Sequence, residues 1–131
     1  MGFHMQNLGT DLTIRLPQDR LGALANVAEA LAQAGLNIDG YAEIEGIVHL
    51  LTKDAAAARR ALEKAGIPVE SEQQVLVVAV ENHCGAAAHT LRRIADAEVN
   101  VHFSYVAANS RLVIGVKNVH RVAELHLGDT A

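Results

Sequence analysis

The chain has 131 residues, half of them hydrophobic, a formal charge of −4 and a pI near 5.9. Its basic residues are scattered, with no aromatic-interleaved stripe to follow nucleic acid, and no apolar run reaches the roughly 18 residues of a membrane span. A single cysteine, Cys84, excludes an intramolecular disulfide and fits a reducing cytoplasm.

Residues 1–9 read as a tail. Met1-Gly2-Phe3-His4-Met5 has no basic and apolar leader pattern; it looks in part like a cloning remnant, with Met5 as the native start. Thr10–Leu16 alternates, with Leu12, Ile14 and Leu16 on one face and Thr13 and Arg15 outward, so it predicts a half-buried strand that Pro17 ends. Asp19 is the expected cap of a helix over Leu21–Ala34, stopped by Gly35. Leu36–Ile44 predicts a second strand, Glu45-Gly46 a tight turn and Ile47–Thr52 a third strand. Asp54 caps a helix to Ala65, closed by Gly66, and Ile67–Gln74 is a fourth extended element.

The pattern then repeats. Leu21-Gly22-Ala23 followed by Leu36-Asn37-Ile38 recurs 63 residues later as Cys84-Gly85-Ala86 followed by Val99-Asn100-Val101. Val75–Val80 is a strand, Gly85–Ala97 a helix and Val99–Ala107 a strand. Ala108-Asn109-Ser110 is a turn, Leu112–Val116 a strand, and Val119–Leu125 a short helix capped by Asn118. The expected division is a βαββαβ unit over residues 10–74 and a second over 75–131 whose fourth strand is missing or truncated. Val75–Val80 is apolar on both faces, unlike Thr10–Leu16. A strand buried on both sides needs two covers, and we expect a second subunit, hence a homodimer, to supply one of them.

Function is sought where a strand turns into a helix at a glycine. The first amides of a helix have no intrahelical partner and carry partial positive charge. A carboxylate fits there, and glycine lets its oxygen come close to the backbone. The expectation is that Asn37, at the start of the second strand, lies at the same end of the sheet and holds the polar end of a zwitterion through its amide. The bland alternative is that glycine serves only the turn and asparagine only its local backbone.

The runs Leu16-Pro17-Gln18-Asp19-Arg20-Leu21-Gly22-Ala23 and Gly35-Leu36-Asn37-Ile38 resemble the signature of ACT domains. The resemblance extends over nearly the whole chain as two tandem units, similar to stand-alone ACT proteins without a catalytic domain. It implies an α+β fold of two ferredoxin-like units side by side, an antiparallel sheet with helices on one face, and amino-acid binding between units. The family's ligand positions fall on Asp19, Arg20, Leu21, Gly22, Ala23, Asn37 and Ile38, and in the second copy on Asn82, His83, Cys84, Gly85, Ala86, Asn100 and Val101. Leu21 and Cys84 stand where the family often has proline, and the second copy lacks a glycine matching Gly35.

His83, Cys84 and His89 are zinc-type ligands, but adjacent His83 and Cys84 chelate one ion awkwardly and no fourth ligand is evident. Cys84 at a helix start could serve as a nucleophile with His83 or His89 as base; an isolated cysteine is more often a small hydrophobe. Glu43 and Glu45 fall on one strand face by the two-residue period; they could pair for acid–base work, but exposed strand carboxylates are the ordinary case. Tyr41, Phe103 and Tyr105 lie on the second strands and would line a ligand pocket or simply pack.

The expectation is a non-enzymatic, cytoplasmic sensor that binds a free amino acid, forms a homodimer and acts on a partner enzyme, with no cofactor, no metal, no nucleic acid and no membrane. The rivals are a ligand-free protein-interaction module and a small thiol- or metal-dependent enzyme centred on Cys84.

Overall fold

The computed structural model describes residues 6–18, 20–80 and 85–125. In chain order the elements are β1 (Gln6–Arg15), α1 (Ala23–Gln33), β2 (Gly40–Ile44), β3 (Ile47–Leu51), α2 (Ala55–Lys64), β4 (Ser71–Ala79), α3 (Ala86–Asp96), β5 (Val101–Ala107), β6 (Arg111–Val116) and α4 (Val119–Ala123). They form two compact units. One is Thr10–Gln73; the other joins residues 74–131 with the N-terminal residues up to Gly9.

Two expectations change here. The tail foreseen over residues 1–9 is strand from Gln6 onward, and its Gln6–Gly9 stretch belongs to the unit of residues 74–131. A unit that was expected to lack its fourth strand thus receives an extended segment from the other end of the chain. The separate strands foreseen at Ile67–Gln74 and Val75–Val80 are one strand, β4, that passes from the first unit into the second without a break. No turn residue interrupts Ser71–Ala79, so extended backbone simply continues.

In the first unit β1 pairs antiparallel with β3, with Leu12 opposite Leu50 and Ile14 opposite Val48, and β3 pairs with β2. On the other side of β1 the Glu70 amide donates to the Thr13 carbonyl at 2.8 Å. Within this unit β1 thus lies between β3 and the chain that leads into β4. Leu12, Ile14, Val48 and Leu50 meet Val27 and Leu31 of α1 and Ala58 and Leu62 of α2 in one core. Each of the large aliphatic side chains contributes about 1.5–3 kcal/mol by leaving water. Asp54 caps α2 by accepting from the Ala57 amide at 3.0 Å.

In the second unit β4 pairs with β6 and β6 with β5. Leu76, Val78, Leu112 and Ile114 pack with Ile94 of α3 and with Val119 and Val122 of α4. Asn118 caps α4 through the Arg121 amide at 3.3 Å. The hairpins differ by one residue: two, Glu45-Gly46, join β2 to β3, but three, Ala108-Asn109-Ser110, join β5 to β6, so the repeat spacing grows from 63 at Asn37 and Asn100 to 64 at Asp54 and Asn118.

The repeat is faithful at helix ends. Gly35 and Leu36 donate to the Ala32 and Leu31 carbonyls; Glu98 and Val99 donate to Ala95 and Ile94 in the same way. Both turns need a left-handed residue. Gly35 has φ +73°, and Glu98, in the place without a glycine, is held at φ +60°.

Val75 and Val77 are buried like their neighbours Leu76 and Val78, and they are so in a single chain. The two-sided burial of β4 therefore requires no second subunit, and the homodimer loses the argument drawn from it.

Candidate functional site

The expected cap of α1 differs from what is found. Helix α1 starts at Ala23, and its N-cap is Gly22, at φ +80°, with no side chain capping it. Asp19 lies outside the described residues. Gly22 instead supplies the left-handed bend that turns the chain into the helix, with its carbonyl accepting from the Asn26 amide at 2.9 Å. Gly85 does the same for α3, at φ +89°, accepting from the His89 amide at 2.9 Å, again without a side-chain cap. A glycine N-cap offers no side chain to the first-turn amides of either helix. Ala23 and Ala86 are buried behind these glycines, while Arg20 and Leu21 stand in solvent, Leu21 being 99% exposed. Asn82, His83 and Cys84 lie outside the described residues, so the second loop is described only from Gly85.

The expectation that Gly22 and Asn37 share a sheet end is overturned. The Leu16 amide donates to the Gly46 carbonyl at 2.7 Å, which fixes the loop before α1 beside the β2–β3 hairpin. Asn37 is at the other end of β3: its carbonyl accepts from the Thr52 hydroxyl at 2.8 Å, and the Asp39 amide donates to Leu51 at 2.9 Å. From Gly46 to Thr52 the strand advances about 20 Å at roughly 3.3 Å per residue, more than one free amino acid spans. Leu36–Asp39, expected as strand, is irregular, and Asn37 is exposed there. The second unit repeats this. Val80 donates to Ser110 of its hairpin at 2.8 Å, while exposed Asn100 and Val101 sit at the far end, where β5 begins. The reason is connectivity: a helix that follows one strand must return the chain to the opposite edge before the next parallel strand begins.

What faces the Gly22 loop is the hairpin. A cavity of about 480 Å³ is lined by Arg20, Gly22, Ala23, Leu24, Glu43 and Glu45, among others. A neighbouring one of about 370 Å³ shares Arg20, Ala23 and Glu45 and reaches Arg15 and Asn26. A third, of about 330 Å³, shares Leu24 and Ala25 with the first and runs between α1 and β2 to Ile38 and Tyr41, floored by Val48 and Leu50. Of the predicted positions, Arg20, Gly22 and Ala23 therefore converge with Leu21 on the loop cavity, and Ile38 joins an adjacent apolar groove. Of the aromatic residues singled out, Tyr41 lines that groove, whereas Tyr105 is buried and stacks on Phe103 with ring centroids 6.3 Å apart.

Glu43 and Glu45 do not form a strand pair. Glu43 ends its reach on the Gly46 amide, at 2.8 Å, and so closes the hairpin. Glu45 is in the turn, at φ +51°, with Gly46 at +84°; two successive left-handed residues make the two-residue hairpin turn that matches strand twist.

Sequence reasoning missed a buried polar cluster. Asp11 is fully buried, although β1 was expected to turn its polar face outward. Thr13 donates to Asp11 Oδ1 at 2.9 Å, and His49 Nδ1 lies 3.1 Å from the same oxygen. Thr13 Oγ1 is also 3.3 Å from His49 Nδ1. The hydroxyl and the carboxylate thus meet the same ring nitrogen, which is not a nucleophile–base–acid relay, since that needs both nitrogens. The cluster links neighbouring strands β1 and β3 through their side chains. Its only sequence signal is that Val75, Val77 and Val113 stand in the corresponding places of the second unit: Thr13 pairs with His49, and Val77 with Val113. Among the described residues no group of three or more His, Cys, Asp or Glu is placed to hold a metal ion, and no helix is long and apolar enough to cross a membrane.

No family model and no curated protein matches the sequence. Solved structures do. Protein BT0572 of Bacteroides thetaiotaomicron aligns at TM-score 0.73 and 24% identity, over 92% of this chain and 85% of that one. The regulatory subunit of aspartate kinase from Thermus flavus aligns at TM-score 0.65 and 20% identity, over 93% and 90%. The fold is that of aspartate kinase regulatory domains. Aspartokinase III of E. coli, solved in complex with lysine and aspartate, aligns at TM-score 0.58 and 14% identity, and this chain spans only 30% of it.

Proposed function

We propose that this protein is a non-catalytic regulatory or sensor protein of two ACT-type units that binds a free amino acid in the cytoplasm. The observation that carries the reading is the glycine-led start of α1, opening on a cavity with one guanidinium, Arg20, and the hairpin carboxylate Glu45. The first-turn amides and Arg20 suit the ligand's carboxylate; Glu45 suits its ammonium. The likeness of the fold to regulatory subunits and domains supports the same role. Gly85 and Ala86 offer the second copy of the loop. Asn37 and Asn100 would reach such a ligand only from a further unit of the fold, so in this reading the ligand also joins units. Binding would favour one arrangement of the protein and thereby its docking on a partner enzyme.

A thermal-shift screen of the twenty amino acids, followed by calorimetry, tests the reading. A true ligand raises the melting temperature by mass action. Gly22→Val should abolish binding; a Cβ at Gly22 meets nothing within 4 Å, but φ +80° strains any side chain there, so unliganded melting is read alongside and should fall somewhat while staying cooperative. No shift at millimolar concentration with any amino acid rejects the function. Unchanged affinity in Gly22→Val rejects the site.

A second reading, a ligand-free interaction module, has one observation in its favour: Leu21 and Ile44, 71% exposed, stand in solvent on the first unit. Isolated large apolar side chains this open are at home in protein interfaces, and a homodimer or a partner enzyme would cover them. The enzyme reading rests on Cys84, and a Cys84→Ser variant with normal ligand binding but no biological function would favour it.

A further inference from the structure

We propose that the amino acid recognised by the first unit carries a large apolar side chain, which lies in the groove between α1 and β2. The inference rests on the amino-acid-binding reading above and specifies its ligand. The loop cavity and the groove meet at Leu24 and Ala25, on the first turn of α1. A ligand whose charged end is held at the start of α1 can therefore send its side chain along this groove; the other neighbouring cavity, though apolar in part, also carries Arg15, Arg20 and Glu45.

The groove is the open flank of the first core. Its floor is Val48 and Leu50, each 1% exposed, and its walls include Ala28, Ile38 and Tyr41. None of the residues lining it is charged. Tyr41 stands opposite Leu50 across β2 and β3, on the face that carries the helices, and remains half exposed, as do Leu24 and Ile38 in part. A volume of about 330 Å³ leaves room for a leucine, isoleucine or phenylalanine side chain. The ammonium of lysine or the carboxylate of aspartate would lose its water there and find no partner of opposite charge. An apolar side chain covers Val48 and Leu50 and loses nothing. Each added methylene in such a pocket is worth about tenfold or more in selectivity, so alanine should bind much more weakly than leucine.

Calorimetry on the full chain with leucine, isoleucine, phenylalanine, alanine, lysine and aspartate tests this, together with the variants Ala28→Glu and Tyr41→Ala. Ala28 is exposed on a helix and Tyr41 half exposed on a strand, so unliganded melting reports whether either change disturbs the fold. The expected result is that a large apolar amino acid binds about tenfold or more tighter than alanine, lysine or aspartate. Ala28→Glu should then weaken it by about tenfold or more with unliganded melting unchanged. Tight binding of lysine or aspartate, lost in Gly22→Val and indifferent to Ala28→Glu, overturns the apolar ligand and leaves the amino-acid reading standing. Binding of no amino acid rejects both. A dimer that Ala28→Glu dissociates, with apolar binding intact, shows the groove to be covered by a second copy and overturns the proposal.

Discussion

Glu98→Gly should stabilise the protein, and its mirror image, Gly35→Ala, should destabilise it by a similar amount. The two residues occupy the same place in the repeat, end helices with the same pair of backbone hydrogen bonds, and have φ of +60° and +73°. A left-handed conformation costs an L-residue about 1–2 kcal/mol. Glycine escapes that cost but loses about 0.4–1 kcal/mol through its freer unfolded chain. The difference leaves Glu98→Gly about 0.5–1 kcal/mol more stable and Gly35→Ala less stable by the same. Glu98 is exposed, so little packing is at stake. With an unfolding entropy near 2.1 cal/mol/K per residue, that is a rise or fall of about 2–4 °C. Urea and thermal unfolding of the two single variants and of the double variant measure it. Two sites 63 positions apart in the chain and in separate units should add. A neutral or destabilising Glu98→Gly beside a destabilising Gly35→Ala would refute the reasoning, by showing that the Glu98 side chain makes a stabilising interaction that outweighs its backbone strain.

Gly115→Ala should cost about 1–3 kcal/mol, because a Cβ there collides with the ring of Phe103 on the paired strand; Phe103→Leu in the same chain should recover part of the loss in urea unfolding. Asp11→Ala should cost about 1–3 kcal/mol, since Thr13 and His49 lose their buried acceptor. The triple replacement of Asp11, Thr13 and His49 by valine, the residues that the second unit carries in those places, should unfold later than Asp11→Ala alone; an equally unstable triple variant would show that the polar face is required by its surroundings.

Much of the fold was legible in the chain. The alternation of Leu12 and Ile14, the helical spacing of Val27 and Leu31, the caps Asp54 and Asn118, and the turn at Glu45-Gly46 all act over a few residues, so local physics places them correctly. The repeat exposed the two glycines that lead α1 and α3, and the missing glycine at Glu98. Sequence could not assign distance. Asn37 follows Gly22 by fifteen positions but lies about 20 Å along β3 from the loop, because the helix between them carries the chain to the other end of the sheet. Nor could it reveal that Gln6–Gly9 belongs with residues 74–131, that β4 runs unbroken between units, or that Asp11 is buried: each depends on which segment closes over which strand, and no residue-by-residue pattern encodes that choice. The sequence by itself determined the elements, their order and the duplicated glycine-led helix starts, since these follow from backbone preference and period. Only the tertiary structure decided that the hairpin carboxylates, rather than the asparagines, face the Gly22 loop, because that neighbour is set by strand direction across the sheet.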